Sequence, residues 1–316
     1  MRRLRTVMPV ACLLLVASFA VPAAAYDQPL GLNLGFTSFM DGGPPAGPGW
    51  YFTEYIQLYN GDHLRDYGYP PARHGDVDAW ISLNQLVYQS DQTLLLGGKW
   101  GVDVIVPLAC IDADPAAPDN GAGVGDLLVG PFLQWDPIMG ANGPVLMHRV
   151  ELQMIFPTGK YDDDRALNPG ANHFSFNPYW AATWFVTPQL TATCRLHYLW
   201  NANNDDPYTP DPVGFPLTDR RAGDVFHANF ATSYEVLPKQ LRVGVNGYYL
   251  EQISDSKWSG VGAPDPDDRE RVLGIGPGAM WSFSKDMHLF FNMYFESHVK
   301  YRPEGERFNL RLVYHF

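Results

Sequence analysis

Residues 307–316 read RFNLRLVYHF. Every second residue is apolar: Phe308, Leu310, Leu312, Tyr314 and Phe316. Between them stand Arg307, Asn309, Arg311, Val313 and His315. A period of two is the signature of a strand with two unlike faces. Chain termini usually fray, so a strand that runs to the last residue needs a partner that holds it. The pattern predicts a closing strand of a barrel, with its apolar face on lipid. A closed barrel is the strand architecture that pairs every backbone N–H and C=O in hydrocarbon.

The same alternation recurs along the chain. Twelve segments carry it, at 50–60, 77–89, 93–106, 124–135, 145–156, 173–186, 190–200, 225–236, 241–253, 271–283, 288–300 and 306–316. Most exceed the ~5–6 residues usual in soluble sheets and suit the ~9–11 of a tilted membrane strand. The fifth sets Leu146, Val150, Leu152, Met154 and Phe156 against Arg149, Glu151 and Gln153. The first is ambiguous, since Glu54 lies on one face and Gln57 on the other. Connections alternate between long and short. Short ones are SDQ, DPIMGANGP, TPQ, LPKQ and SKDM; long ones include PTGKYDDDRALNPGAN and residues 201–224. That sorting predicts short periplasmic turns and long extracellular loops. The fold class expected is therefore all-β: a single antiparallel transmembrane barrel of about 12 strands over residues 50–316. Trp50, Trp100, Trp135, Trp184, Trp200 and Trp281 lie near strand ends, as interfacial girdles do.

The first 25 residues read as a secretory signal. Arg2, Arg3 and Arg5 precede an apolar run from Val10 to Val21, and Ala23-Ala24-Ala25 offers a cleavage site. The expected location is the outer membrane of a Gram-negative cell. Residues 26–49 fit no strand, because Pro44, Pro45 and Pro48 interrupt them. They are expected to fold inward as a plug.

The 316 residues carry 22 Lys+Arg against 34 Asp+Glu. Losing three arginines with the leader takes the basic count from 22 to 19, a balance of −15. Nucleic acid, which needs clustered cations, is an unsuitable partner. Cys110 and Cys194 remain beyond the leader, too few for a disulfide scaffold.

Candidate chemistry is sparse. Gly98-Lys99-Trp100 lacks the spacing of a phosphate loop. Gly274, Gly276 and Gly278 have no helix after them and suit a close-packed lumen. No metal-ligand motif occurs, so neither a catalytic metal nor another cofactor is expected. Acidic clusters at Asp162-Asp163-Asp164 and at Asp265, Asp267 and Asp268 read as solvated loops, with a hard-cation site as the alternative. His173 and Ser175 allow a lipid-hydrolase reading. The residues expected to face the lumen are Lys99, Asp103, Asp126, Arg149, Glu151, Arg195, Arg242, Glu296, Lys300, Arg307 and Arg311. A charge on the lipid face would cost ~2–4 kcal/mol at mid-bilayer. Leu128, Phe132 and Tyr294 could add an apolar patch to that interior.

The stretches GPGWYFTEY, LLLGGKWGVDVIVPL, GVGDLLVGPFLQW, FPTGKYD, LPKQLRVGVNGYYLEQISDSK, LGIGPGAMW and PEGERFNLRLVYHF together resemble an outer-membrane family. It is named for the MetA pathway of phenol degradation and also described as SphA-type transporters. The resemblance spans residues 47–316. It implies a barrel for passive uptake of small apolar or aromatic compounds, with no catalytic residues. Expected partners are outer-membrane lipid, the solute, and the barrel assembly machinery through the strand ending at Phe316. A closed structural or adhesive barrel and the lipid hydrolase remain as alternatives.

Overall fold

The computed structural model describes residues 28–65, 73–113, 119–209, 218–259, 261–262 and 269–316. The leader and Asp265, Asp267 and Asp268 lie outside them. Twelve strands close one antiparallel barrel. They are β1 Gly49–Arg65, β2 Arg73–Leu95, β3 Gly98–Asp112, β4 Leu127–Gln134, β5 Gly143–Phe156 and β6 Ser175–Phe185. The second half is β7 Leu190–Asn201, β8 Val225–Leu237, β9 Leu241–Gln252, β10 Arg271–Ser282, β11 Met287–Lys300 and β12 Arg302–His315. Each strand pairs with its sequence neighbours, and β12 returns to β1 with Phe52 opposite Tyr314 and Leu58 opposite Phe308. No open edge is left to seek a partner.

The alternation decides the faces. Leu152, Val243, Val245, Ile275, Phe291 and Phe295 are exposed on the outside. Glu151, Asn177, Asn246, Asn292 and Asn309 on the neighbouring parity are fully buried. An apolar exterior around a polar interior inverts the soluble pattern and is the arrangement that hydrocarbon demands. Trp50, Trp184 and Trp281 emerge at the short-turn end, and Trp80 and Trp200 toward the long-loop end. In β1, Tyr51, Tyr55, Gln57 and Tyr59 turn inward and Trp50, Phe52 and Leu58 outward. Glu54 thus lies on the outer face, where its carboxylate takes a hydrogen bond from the Ser82 hydroxyl at 2.7 Å.

Three boundaries depart from the sequence reading. The β2–β3 turn is not at Ser90-Asp91-Gln92. It falls at Leu96 and Gly97, both at positive φ of 50° and 79°, as a tight two-residue hairpin turn requires. The apolar leucines before it hid the turn. Likewise YRPEGE is not a loop, because β11 turns into β12 at Tyr301 and both strands run on. Finally, β11 slips register against β10 near its end, between the pairs at Arg271 and Leu273. His298 takes a φ of 54° there. Such a bulge reverses the alternation. Val299 is the residue buried at this level, and Lys300 stands opposite exposed Arg271. The expectation that Lys300 faces the lumen counts through the bulge and is one residue out of phase.

Candidate functional site: the barrel lumen and the segment inside it

A 12-stranded barrel is wider than its own side chains can fill, since eight strands already enclose just enough space for them. Residues 28–48 occupy the remainder. This stretch forms no strand, so its amides and carbonyls need partners from elsewhere. The inward Asn, Gln and Tyr side chains supply them. Gln57 Nε2 donates to the Leu34 carbonyl at 3.1 Å and Asn229 Nδ2 to the Asn33 carbonyl at 2.7 Å. The Gly35 amide donates to Asn229 Oδ1 at 2.8 Å. Its carbonyl accepts from the Tyr294 hydroxyl at 2.9 Å and from Asn309 Nδ2 at 3.1 Å. Gly35 sits at φ +81°, and a Cβ there would lie 2.6 Å from the Tyr294 ring. Only glycine satisfies both constraints.

Leu32, Leu34 and Phe36 bury their side chains against Leu83, Ile105, Leu128, Ile155, Tyr248 and Tyr294. Phe39 packs lower, against Met280 and Phe290. Below it the Asp41 carboxylate receives two hydrogen bonds from Arg195, at 2.6 and 2.9 Å, and stands 3.6 Å from Arg311. Gly42 is tied to the wall twice, its amide to Thr183 Oγ1 at 2.9 Å and its carbonyl to Gln134 Nε2 at 3.1 Å.

The lumen charges form separate clusters. Toward the long loops, Glu296 accepts from Tyr59 at 3.0 Å, Tyr248 at 2.6 Å and Arg307 at 3.2 Å, while Arg307 NH1 donates to Gln57 Oε1 at 2.8 Å. At mid-height Gln85 donates to Asp103 at 2.6 Å, Tyr179 donates to Glu151, and Arg149 approaches Glu151 to 4.0 Å. Near the short turns Arg242 donates to Ser233 Oγ at 3.1 Å and to the Gln189 carbonyl at 2.7 Å. Lys99 sits at the rim, in a 2.5 Å pair with Asp136. Asp126 is structural: it accepts the Gly159 and Ala171 amides at 2.9 and 2.7 Å and anchors the 157–174 loop. Phe132, Leu128 and Tyr294 are all buried in the interior; Leu128 and Tyr294 share one cluster and Phe132 lies in another. No single patch unites them.

His173 and Ser175 do not form a nucleophile and base. The Ser175 hydroxyl donates to Asn201 Oδ1 at 2.7 Å, and His173 Nδ1 lies 3.3 Å from the Ala171 carbonyl. Burial in the loop cap pushes the His173 imidazole down to about 4. Asp162 caps its own turn by accepting the Asp164 amide at 3.0 Å. Among the described residues no group of three or more His, Cys, Asp or Glu is placed to hold a metal ion. Cys110 and Cys194 are unbridged.

The sequence reading missed Asp41, the pairing partner of two lumen arginines, because it stood in a stretch without period. Its one signal was an isolated acid in the Gly/Pro-rich run FMDGGPP. His197 and His227 were also missed. They stack at 4.1 Å and 14° inside the wall, with His227 Nε2 3.0 Å from Asn177 Oδ1.

Space remains on both sides of the segment. A cavity of about 50 Å³ lies under the long loops beside Gln28, Tyr161, His173 and Asn204. A pocket of about 30 Å³ follows at mid-height beside Phe36, Asp103, Gln153 and His197. Toward the short turns the lumen widens to about 510 Å³. Tyr55, Gln85 and Arg195 line both of the latter.

No curated protein sequence matches the chain. Among solved structures, an outer membrane channel from Pseudomonas putida F1 is similar at TM-score 0.74 and 19% identity, over 89% of this chain and 99% of that one. The beta domain of the Bordetella autotransporter BrkA aligns at TM-score 0.49 and 12% identity, over 85% and 100% of the two chains. The likeness to the Pseudomonas channel concerns the fold. The family model described as "Putative MetA-pathway of phenol degradation" matches residues 62–312, and the chain belongs to that family.

Proposed function

We propose that the protein is a passive outer-membrane channel for small apolar or aromatic solutes, and that residues 28–48 are its gate. The observation that carries this reading is the composition of the interior. A purely structural barrel gains by filling its lumen from the wall. Here a non-strand segment fills it, held by side-chain contacts that break without breaking a strand pair. Cavities lie above, beside and below that segment. A solute entering under the long loops would pass Phe36, Tyr55 and Leu83 before it reached the wide lower chamber. The apolar side chains of the segment suit an aromatic body, and the family's description points toward aromatic degradation.

The mechanism needs no energy source. Displacing the lower part of the segment exposes a polar path, and the concentration gradient drives net flux. The test is uptake of a labelled aromatic solute by proteoliposomes with lipopolysaccharide in the outer leaflet. The reading expects faster uptake with the protein than without it. Equal rates would favour a closed structural barrel.

A further inference from the structure

The lower chamber has a chemistry that the passage of neutral solutes does not require. Among the described residues six cationic side chains line it: Arg149, Arg195, Arg242, Arg311, Lys239 and Lys285. Two acids do, Asp41 and Glu235. In a chain of net charge −12 this local excess runs against the whole.

Two of the arginines are under-satisfied. Arg311 is 5% exposed, and its Nε has no hydrogen-bond partner. Its acidic neighbour is Asp41 at 3.6 Å, whose two oxygens already serve Arg195. Arg149 donates from Nε to Gln134 Oε1 at 3.1 Å, while its NH1 is 4.0 Å from a Glu151 that also takes the Tyr179 hydroxyl. Each guanidinium lies over an aromatic ring, Arg149 on Phe132 at 3.9 Å and Arg311 on Phe290 at 3.7 Å. Stacking holds the flat face and leaves the N–H edge for an acceptor. A buried charge without hydrogen bonds is costly, and an anion that supplies them is bound well.

Between the charges the walls carry polar groups such as Thr53, Gln85 and Ser282, and an apolar share from Met40, Pro44, Val87, Met147 and Val313. Its volume of about 510 Å³ holds a small organic molecule. We propose that this chamber binds small carboxylates with an apolar body, the carboxylate on Arg311 and Arg149 and the body on the surrounding apolar walls. The proposal rests on the lumen being the solute passage and names a substrate class for it.

The test uses the full-length chain in detergent and titrates three probes with one ring and three charges: benzoate, benzamide and benzylamine. Calorimetry reads the affinities. The expected result is saturable benzoate binding at least tenfold tighter than that of the other two. Arg311→Gln and Arg149→Gln should each weaken benzoate at least tenfold, and Arg311→Lys should weaken it less. If a glutamine variant misassembles, seen as lost heat-modifiable gel mobility, chloride competition on the unaltered protein decides, and benzoate affinity must fall as chloride rises. Benzoate binding no tighter than benzamide, or unchanged in the correctly assembled Arg311→Gln, overturns the proposal. Solute uptake is scored separately. Uptake without a carboxylate preference sinks the chamber site alone, whereas benzoate binding without any uptake sinks the channel reading and keeps the site.

Discussion

Replacing Asp41 by asparagine should unlatch the lower half of the internal segment. The Asp41 carboxylate is 7% exposed and faces Arg195 at 2.6 Å and Arg311 at 3.6 Å. Removing one member of a buried ion pair costs roughly 3–5 kcal/mol, because the partner charge stays buried and unmet. The chamber below brings solvent close, so the lower end, about 3 kcal/mol, is the fitting figure. That shifts the balance between docked and displaced segment by about a hundredfold. Leu32, Leu34 and Phe36 remain packed higher up, so the variant should open partway. In a planar bilayer, Asp41→Asn should spend far more time conducting than the unaltered protein. Its conductance should fall below that of a deletion of residues 28–48. Asp41→Glu, which keeps the charge, should stay mostly closed. A correctly assembled Asp41→Asn that conducts no more than the parent would refute the latch and the reasoning behind it.

Gly35→Ala should loosen the segment from above, since the φ of +81° and the Tyr294 ring at 2.6 Å both oppose a Cβ. Gly47→Ala meets open space at φ +87° and serves as the backbone-strain control, with the smaller rise in conductance. Leu152→Arg places a charge on the lipid face and should lower refolding stability in urea by about 2–4 kcal/mol; no change would mean that this face does not meet lipid. The loop cap should weaken on acidification. His173 titrates near 4 when folded and near 6.5 when unfolded, so its contribution is complete above pH 6.5 and declines as the pH falls toward 4. Hydrogen exchange of residues 157–174 should therefore speed up between pH 7 and pH 5, beyond its intrinsic rate change, by the equivalent of at most about 2 kcal/mol. Burial raises Asp126 in the same cap, which works the other way. His173→Asn isolates the histidine and should abolish the acid weakening.

Membrane strands wrote themselves into the sequence because lipid punishes any break in alternation. Period alone puts Arg307, Asn309 and Arg311 on one face of their strand, and all three are buried. Boundaries were less legible where apolar residues ran through a turn, as at Leu94, Leu95 and Leu96, or where a bulge shifted the phase before Lys300. The interior clusters were not legible at all. Asp41 meets Arg195 across 154 positions and Gln57 meets Leu34 through a backbone carbonyl, and neither contact leaves a periodic trace. A segment without secondary structure has no period to read, yet it carries the hydrogen bonds and the ion pair that tie it to the lumen wall.

The most direct test of the account compares the uptake rate of one labelled small aromatic solute in three sets of lipopolysaccharide-containing vesicles: empty, with the full chain, and with the chain lacking residues 28–48. The account predicts a rise at each step. Rates that match the empty vesicles in both protein preparations, with assembled barrels verified, would contradict it.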